Sequence, residues 1–426
     1  NDIGIMFAKS GCLVHVYAFQ EAESNPGGAL AAAPDIAILD TNSRLDDPHQ
    51  AYEKVFAATR LLQEVGCTRF FNKTCSVFRG NIGAEFDAML DALGADFAVV
   101  VLGFPKNGRL TIDGIHYVHG KRLEESEFAR DPVHPMTRSS LVEILSAQTH
   151  RKVDLIDHNV VSQGAETLRR RIDAMKTTCN YLILDVTSQH DLKTIAQAVR
   201  DEPVLCGSSA LAEELPEAWG FSGRLQEELA DQGENQAGIL CVAGSLMPQT
   251  KAQIEHLETC GATRLTLDTL HIFDPAQRRQ EIQRLVAQIT PIIQAGRDVI
   301  LHALNRPDEV ARTKQEGERS GLTPTETSRL VSTTLAEVTA AILEQTGQNR
   351  LIVAGGETSA AVCDRLGIRG LRIWKEIQPG LPSCLSLSDP PILLVLKSGS
   401  FGSPDFLEQA IWHAREESRD KGGQDE

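Results

Sequence analysis

The chain has 426 residues, with 42 lysines and arginines against 58 aspartates and glutamates, a formal charge of −16. At roughly 150 residues per domain this length suggests two or three domains, each able to bury a core, and 42% hydrophobic against 23% charged residues excludes a disordered chain. The acidic balance argues against nucleic acid or an anionic membrane as partner, while a local cluster of arginine, lysine and helix N-termini still binds a small anion.

The first eleven residues, NDIGIMFAKSG, have the apolar spacing of a helix leading to Gly11, and LVHVYAF (13–19) then reads as a strand. An α/β domain commonly opens with a strand carrying ligand-binding residues at its C-terminal end, so the numbering is expected to begin inside the helix after it, with a segment missing upstream. The runs DIAILD (35–40), FAVVVL (97–102), YLILDV (181–186), GILCVAG (238–244), LIVAGG (351–356) and ILLVLK (392–397) recur between longer amphipathic segments. Continuous apolar strands flanked by helices mark parallel sheets covered on both faces, so the expected fold class is α/β. A domain change is expected near 225–237, around the charged stretch LADQGENQAG, because linkers are polar and poor in apolar contacts. NRPDEVARTKQEGERSG (305–321) reads as a mobile excursion. It is closed by a helix start at TPTE, where Thr323 caps, Pro324 takes the first helical position and Glu326 completes a capping box. The tail from about 415 reads as helix end followed by disorder.

No run reaches about 18 apolar residues, so no membrane span is expected. Nine cysteines stand without a CxxC pair, mostly in apolar runs, and no basic segment precedes an apolar one as in a secretory signal. Both features suggest a reducing cytoplasm.

Several segments carry polar residues where α/β sheets bind ligands, just beyond strand C-terminal ends. DIAILD runs into Asp40, Thr41, Ser43 and Arg44, and the arginine can fork a carboxylate or stand solvated in a surface turn. FNKTCSVFRGNIGAEFDAMLDALG (71–94) places Lys73, Ser76, Arg79, Gly80, Asn81 and Gly83 before a helix starting near Ile82, the make-up of an anion site, though the glycines also suit a plain tight turn. GFPKNGRLTIDGIHYVHGKRLEESEFARDPVHP (103–135) reads as a long irregular segment offering Arg109, Asp113, His116, His119, Glu127, Arg130, Asp131 and His134. Loops of that length are usually functional or disordered, and the aromatic and aliphatic residues of this one argue for order. Binding of a small polar substrate is the stronger reading, since two histidines without a third ligand at diagnostic spacing make a weak zinc signal. Further on, CVAGSLMPQTKAQIEHL (241–257) presents Gly244, Ser245 and Thr250, and LIVAGGETSAAVCDRLG (351–367) presents Gly355, Gly356, Thr358 and Ser359. Two such turns at helix N-termini suit a nucleotide's phosphates. LKSGSFGSPDFL (396–407) adds Lys397, Gly399 and Gly402, suited to charge neutralisation or to a Gly-rich turn alone. GxxxxGK[ST] is absent.

Taken together, NIGAEFDAMLDALG, GRLTIDGIHYVHG with LEESEFARDPVHP, GGETSAAVCDRLGIRGLRI with EIQPGLP, and LKSGSFGSPDF resemble the four-carbon acid sugar kinases over essentially the whole chain. The resemblance implies ATP-dependent phosphorylation of a hydroxyl on threonate, erythronate or a 3-oxo-tetronate, with ATP and Mg²⁺ as cofactors and a small sugar acid as partner. It implies a sugar-acid domain over 1–230 and a nucleotide domain over 238–415, each with a largely parallel sheet, and suggests a homodimer. Asp40, Ser43, Arg44, Lys73, Ser76, Arg79, Asn81 and Gly83 become acid-side candidates, joined by His116 and Arg130 from the long segment. Gly244, Ser245, Thr250, Gly355, Gly356, Thr358, Ser359, Lys397, Gly399 and Gly402 become nucleotide-side candidates; the identity of a metal ligand stays open. Closure of the domains is expected to bring acid and γ-phosphate together. The base is expected from Asp113, Asp131 or an upstream aspartate, with Arg109 as a further catalytic candidate.

The chain departs from the family pattern in two places. Members begin with a strand leading into ADDxTGA, whereas this numbering opens at Asn1-Asp2-Ile3-Gly4, and KKxDSTLRGN stands as NKTCSVFRGN, with Asn72, Cys75 and Val77 in place of lysine, aspartate and threonine. A binding protein without catalysis and a nucleotide-independent isomerase or lyase of hydroxy acids are the rival readings.

Overall fold

A computed structural model describes residues 2–19, 34–131, 134–221 and 237–416. The chain divides into the units Asp2–Leu225 and Gln226–Glu426, each an α/β arrangement of strands flanked by helices. Most of the stretch expected as a linker, and the tail beyond Glu416, lie outside the described residues.

In the N-terminal unit the helix Asp2–Ala8 is followed by β1 (Val14–Ala18), which pairs in parallel with β2 (Ile36–Asp40). A separate sheet is built from β3 (Phe70–Lys73), β4 (Ala98–Val101), β8 (Val153–Ile156), β9 (Tyr181–Leu184) and β10 (Val204–Gly207). Its order is β3-β10-β4-β9-β8 with every neighbour parallel. Val99, Val100, Leu182 and Ile183 are fully buried, which is why β4 and β9 read as unbroken apolar runs. Phe86, on the helix Ile82–Leu93, packs between Phe78 and Tyr181 at ring separations of 6.2 and 5.8 Å. The Tyr181 hydroxyl donates to Asp87, which also accepts from Thr149 Oγ1. The aromatic core therefore keeps its one polar end satisfied.

Within the segment 103–135, read as irregular although its aromatic and aliphatic residues favour order, regular structure is present. β5 (Arg109–Ile112), β6 (Ile115–Val118) and β7 (Lys121–Arg122) form a small antiparallel sheet. Asp113 and Gly114, at φ 52° and 74°, make the two-residue turn between β5 and β6, and an Asp-Gly pair between four-residue runs is a hairpin signal.

In the C-terminal unit, β11 (Leu240–Ala243), β12 (Thr263–Leu267), β13 (Val299–Ala303), β14 (Arg350–Ala354) and β17 (Leu393–Lys397) are parallel in the order β12-β13-β11-β14-β17. β16 (Leu381–Ser386) and β15 (Gly370–Gln378) extend this sheet antiparallel. Residues 305–321, expected to be mobile, instead form the helix Pro307–Arg319. Its Glu309 carboxylate accepts the Arg306 N–H, and Thr313 and Gly317 are buried against neighbours, so few apolar residues were needed to hold it. The helix Pro324–Thr346 starts as expected, with the Thr323–Glu326 capping box present. Among the described residues no helix is long and apolar enough to cross a membrane, and all nine cysteines are free thiols.

Two glycines separate backbone conformation from crowding. Gly94 (φ 64°) has nothing within 4 Å of a Cβ placed on it, whereas a Cβ on Gly207 (φ 138°) would lie 1.9 Å from the Val101 carbonyl oxygen. Gly94→Ala is expected to cost about 1 kcal/mol from the left-handed conformation alone, and Gly207→Ala about 3 kcal/mol because the β10–β4 contact must also open. Urea unfolding of both variants checks the order, and equal losses would refute it.

Candidate functional site

The turn after β3 sets the first cluster. Cys75, Ser76 and Arg79 lie on it, and residues 123–131 lay Phe128 and Asp131 against them. Arg79 Nη1 donates to Asp131 Oδ2 at 2.6 Å, its Nε donates to Cys75 Sγ at 3.4 Å, and its guanidinium carbon lies 5.0 Å from the Phe128 ring centre. Arg109 approaches the same ring at 5.7 Å and donates from Nη1 to Ser76 Oγ at 2.7 Å. Two cations thus share one aromatic partner. Burial works against the charge on Arg79, but Cys75 and Asp131 outweigh it and raise its pKa. On Arg109 burial prevails and the pKa falls, and its buried Nε has no hydrogen-bond partner. Burial also disfavours the Cys75 thiolate, yet the neighbouring Arg79 charge and hydrogen bond reverse this and lower the thiol.

His116 supports this cluster from beneath. It is fully buried, donates from Nε2 to the Ser76 carbonyl at 3.0 Å and faces Thr111 Oγ1 from Nδ1 at 3.2 Å. Burial pushes its pKa down to about 3, so it is a neutral prop for the turn. A second set of contacts ties the turn after β2 to the same place. Asn81 Nδ2 donates to the carbonyls of Ser43 and Asp46 at 3.2 and 2.8 Å, His134 Nε2 donates to the Arg44 carbonyl at 3.0 Å, and His134 N–H donates to Asp131 Oδ1 at 2.8 Å. Gly80 (φ 107°) makes this approach possible, since a Cβ on it would meet Arg44 Cγ at 2.9 Å. Ser43 Oγ donates to buried Glu85 at 2.8 Å.

The other acid-side candidates lie differently. Lys73 pairs with Asp2 at 2.7 Å. The space beside Gly83 is filled by the Gln148 backbone, 2.3 Å from a Cβ placed there. Asp40 is exposed and accepts the Asn42 N–H, and Arg130 is exposed at the end of a short 3₁₀ turn. Asp113 is exposed on its hairpin turn, which buried Asp185 anchors by accepting the N–H groups of Asp113, Gly114 and His158 at 2.6, 2.9 and 3.0 Å.

The second cluster belongs to the C-terminal unit. Ala243 is level with Ala354, and Ala354 with Lys397, so the turns after β11, β14 and β17 emerge side by side. β11 and β14 flank the point where successive connections run to opposite sides of the sheet, the usual place for a ligand crevice. Close packing explains the glycines: a Cβ on Gly244 would lie 2.0 Å from Thr358 Oγ1, and one on Gly399 would lie 2.0 Å from Ser245 Oγ. Gly402 (φ 85°) is similarly crowded by Phe406 and Gln253. Gly356 faces open space at the start of the helix Gly356–Arg365, and in that first turn Ser359 Oγ is buried with no partner. An open helix N-terminus with an unpartnered hydroxyl fits a phosphate. Lys397 is 1% exposed and donates to Thr250 Oγ1 at 3.0 Å and to the Gly399 carbonyl at 3.4 Å. Burial lowers its pKa to about 8.

Sequence reasoning passed over Phe128, Asp185 and Gln253. Gln253 Nε2 donates to the carbonyls of Phe401 and Ser403 and shapes the last turn. Asp185, the residue that ends YLILD, carried a readable signal as an acid directly after a strand. Phe128 carried none, because one aromatic in a polar segment does not reveal which cations reach it.

The sequence matches two family models, a sugar-binding N-terminal domain over residues 1–215 and a nucleotide-binding C-terminal domain over residues 240–407. It is 34% identical over 396 residues to a 3-oxo-tetronate kinase of Pseudomonas savastanoi pv. phaseolicola, covering 91% of this chain and 89% of the relative. It is 35% identical over 388 residues to one of Cupriavidus necator, covering 88% and 86%. A crystal structure of a Haemophilus influenzae protein superposes with a TM-score of 0.77 at 28% identity, covering 96% of both chains. One of a Salmonella typhimurium LT2 protein gives 0.82 at 26%, covering 96% of this chain and 95% of the other. With two domain models in tandem and such identity over most of its length, this chain belongs to the 3-oxo-tetronate kinase family of four-carbon acid sugar kinases.

Proposed function

We propose that this chain transfers the γ-phosphoryl group of ATP to a hydroxyl of a four-carbon sugar acid, leaving ADP and the phosphorylated acid. Kinship to kinases of that class over about nine-tenths of the chain supports the reaction, and the name shared by these relatives makes a 3-oxo-tetronate the first acid to consider. The observation that carries the acid half is Arg109, a half-buried cation whose buried Nε has no partner, beside a second arginine. A substrate carboxylate supplies the missing charge and acceptor. Arg79 and Arg109 hold that carboxylate, Ser76 orients Arg109, and His116 keeps the turn in place.

The open first turn of Gly356–Arg365 and Lys397 are proposed to hold the nucleotide's phosphates. Mg²⁺ would accompany them and supply neutralisation of charge on the transferred group. Mg²⁺ in phosphoryl-transfer sites is commonly held through substrate phosphates and water with few protein ligands. Phosphoryl transfer asks little covalent chemistry of a protein beyond in-line placement and charge stabilisation. Of the two carboxylates in the long segment, Asp131 lies against the arginines and is proposed to take the hydroxyl proton, whereas Asp113 sits on the hairpin turn.

ADP release with Mg-ATP, measured against threonate and erythronate stereoisomers and their 3-oxo analogues, tests the reaction. Turnover that depends on one of these acids supports it. Nucleotide binding without turnover on any of them points to a non-catalytic binding protein, and turnover of a hydroxy acid without nucleotide to another enzyme class.

On the best acid, Arg109→Met is expected to raise KM by roughly 10–100-fold, the worth of a charge-assisted hydrogen bond. Asp131→Asn should instead act on kcat and exceed Asp113→Asn. Equal, small effects of the two asparagine variants would remove Asp131 from the proton-accepting role.

Lys397 gives a pH signature. Its ammonium is protonated below a pKa of about 8 and neutral above it, so attraction for phosphate weakens as pH rises through that value. ATP affinity is expected to fall by up to about tenfold per pH unit above the transition. In Lys397→Met affinity should already be low at neutral pH and the profile flat; an unchanged profile in the variant would exclude Lys397 as the phosphate's cation.

A further inference from the structure

The helix Pro248–Thr259, whose first turn bears Thr250 of the nucleotide-side cluster, contacts the terminal helix Phe406–Glu416 in the C-terminal unit, and near its other end three side chains of metal-ligating type converge. His256 lies in the last turn of the first helix, Cys260 caps its end four residues later, and Glu408 lies in the first turn of the second. His256 Nε2 is 2.8 Å from Glu408 Oε2 and 3.6 Å from Cys260 Sγ, and the ligating atoms of all three lie within 4.8 Å of one another. Zinc bonds to nitrogen, oxygen and sulfur place neighbouring ligand atoms in a tetrahedron about 3.3–3.8 Å apart. The sulfur–nitrogen separation already meets that, the carboxylate would withdraw from the imidazole by about half an ångström, and sulfur and carboxylate lie within 4.8 Å of each other.

We propose that His256, Cys260 and Glu408 bind one zinc ion, with water in the fourth position. The donor set makes the choice of metal. Imidazole and thiolate favour zinc, whereas hard Mg²⁺ takes oxygen ligands and water, so this site does not compete for the ion that travels with a nucleotide. His256 is half-buried while Cys260 and Glu408 are exposed, which leaves the ion a path from solvent. An exposed histidine–glutamate pair alone contributes little and gives the thiol beside it no role. Bound zinc would clip together two helices that each follow a turn of the nucleotide-side cluster, and because the unfolded chain has no such site, binding adds to folding stability.

The test uses the full chain, stripped with chelator and kept reduced, titrated calorimetrically with Zn²⁺ and followed in parallel by Co²⁺ absorption. One zinc per chain is expected, with a raised Tm and with cobalt showing a thiolate charge-transfer band and tetrahedral d–d bands. Cys260→Ser should abolish the charge-transfer band. His256→Ala and Glu408→Gln should weaken zinc by about tenfold or more, and Glu408→Gln keeps the side-chain shape. The Tm values of the variants in chelator, compared with the unsubstituted protein, check that they fold. Absence of stoichiometric binding, or binding and a cobalt spectrum unchanged in the three variants, would overturn the assignment and leave a surface ion pair.

Discussion

Two guanidinium groups on one phenyl ring form the constraint around which the N-terminal unit is arranged. Arg79 and Arg109 both approach Phe128, and a face-on ring is worth only about 0.5–2 kcal/mol to a cation. A buried charge left without its hydrogen-bond partner costs about 1–3 kcal/mol or more, so the ring alone does not settle two of them. Arg79 is settled by Asp131 and Cys75. Arg109 receives a neutral hydroxyl from Ser76 and keeps an unpartnered Nε. Most of the surrounding detail serves to hold this imbalance in position. Neutral His116 fixes the Ser76 carbonyl without adding a positive charge, and Asn81 and His134 bind the turn carrying Arg44. The unit therefore keeps an under-compensated cation inside a protein of net charge −16, the local arrangement that the proposed acid site requires.

The C-terminal unit repeats the strategy with different parts. Lys397 ends a central strand, is buried, and is offered only a hydroxyl and a carbonyl. Desolvation without a counter-ion moves its pKa toward neutrality. The glycines around it make this possible by letting three turns pack closer than side chains would permit, with Gly244 against Thr358 and Gly399 against Ser245. In both units an under-compensated cation stands at a strand end, Arg109 as the first residue of β5 and Lys397 as the last of β17. Strand ends are suited to this because the parallel ladder fixes their level, as the Ala243, Ala354 and Lys397 register does.

Apolar runs such as FAVVVL and LIVAGG were legible because strands buried on both faces leave no alternation to interpret, and the TPTE helix start because capping is local. The helix Pro307–Arg319 was not, since it is anchored by buried Thr313 and Gly317 in place of an apolar stripe. The β5–β6 hairpin could have been found from Asp113-Gly114, but the density of polar residues around it suggested a loop. At the site, residue types were readable and partnerships were not. Nothing local in the sequence indicates that His116 would turn inward to a carbonyl 40 positions earlier, or that Arg79 would meet Asp131 across 52 residues. Such pairings depend on how strands distant in the chain become neighbours.

The same geometry clarifies the departures at Asn72, Cys75 and Val77 in NKTCSVFRGN. Asn72 is buried and its side chain donates to the Glu85 carbonyl at 3.3 Å, and Val77 lies in the core. Both substitutions are absorbed by packing. Cys75 alone touches the charges of the site, placing sulfur at 3.4 Å from Arg79 Nε where the family pattern has a carboxylate. A carboxylate is ionised throughout the neutral range, whereas a thiol offers full negative charge only when its neighbours pull its proton off. The arginine holds this thiol below its ordinary value, and the thiol helps hold the arginine's charge in return. Sulfur accepts more weakly and at greater length than carboxylate oxygen. Arg79 is thereby neutralised less completely than aspartate would neutralise it, and more of its charge is left for the acid it is proposed to hold.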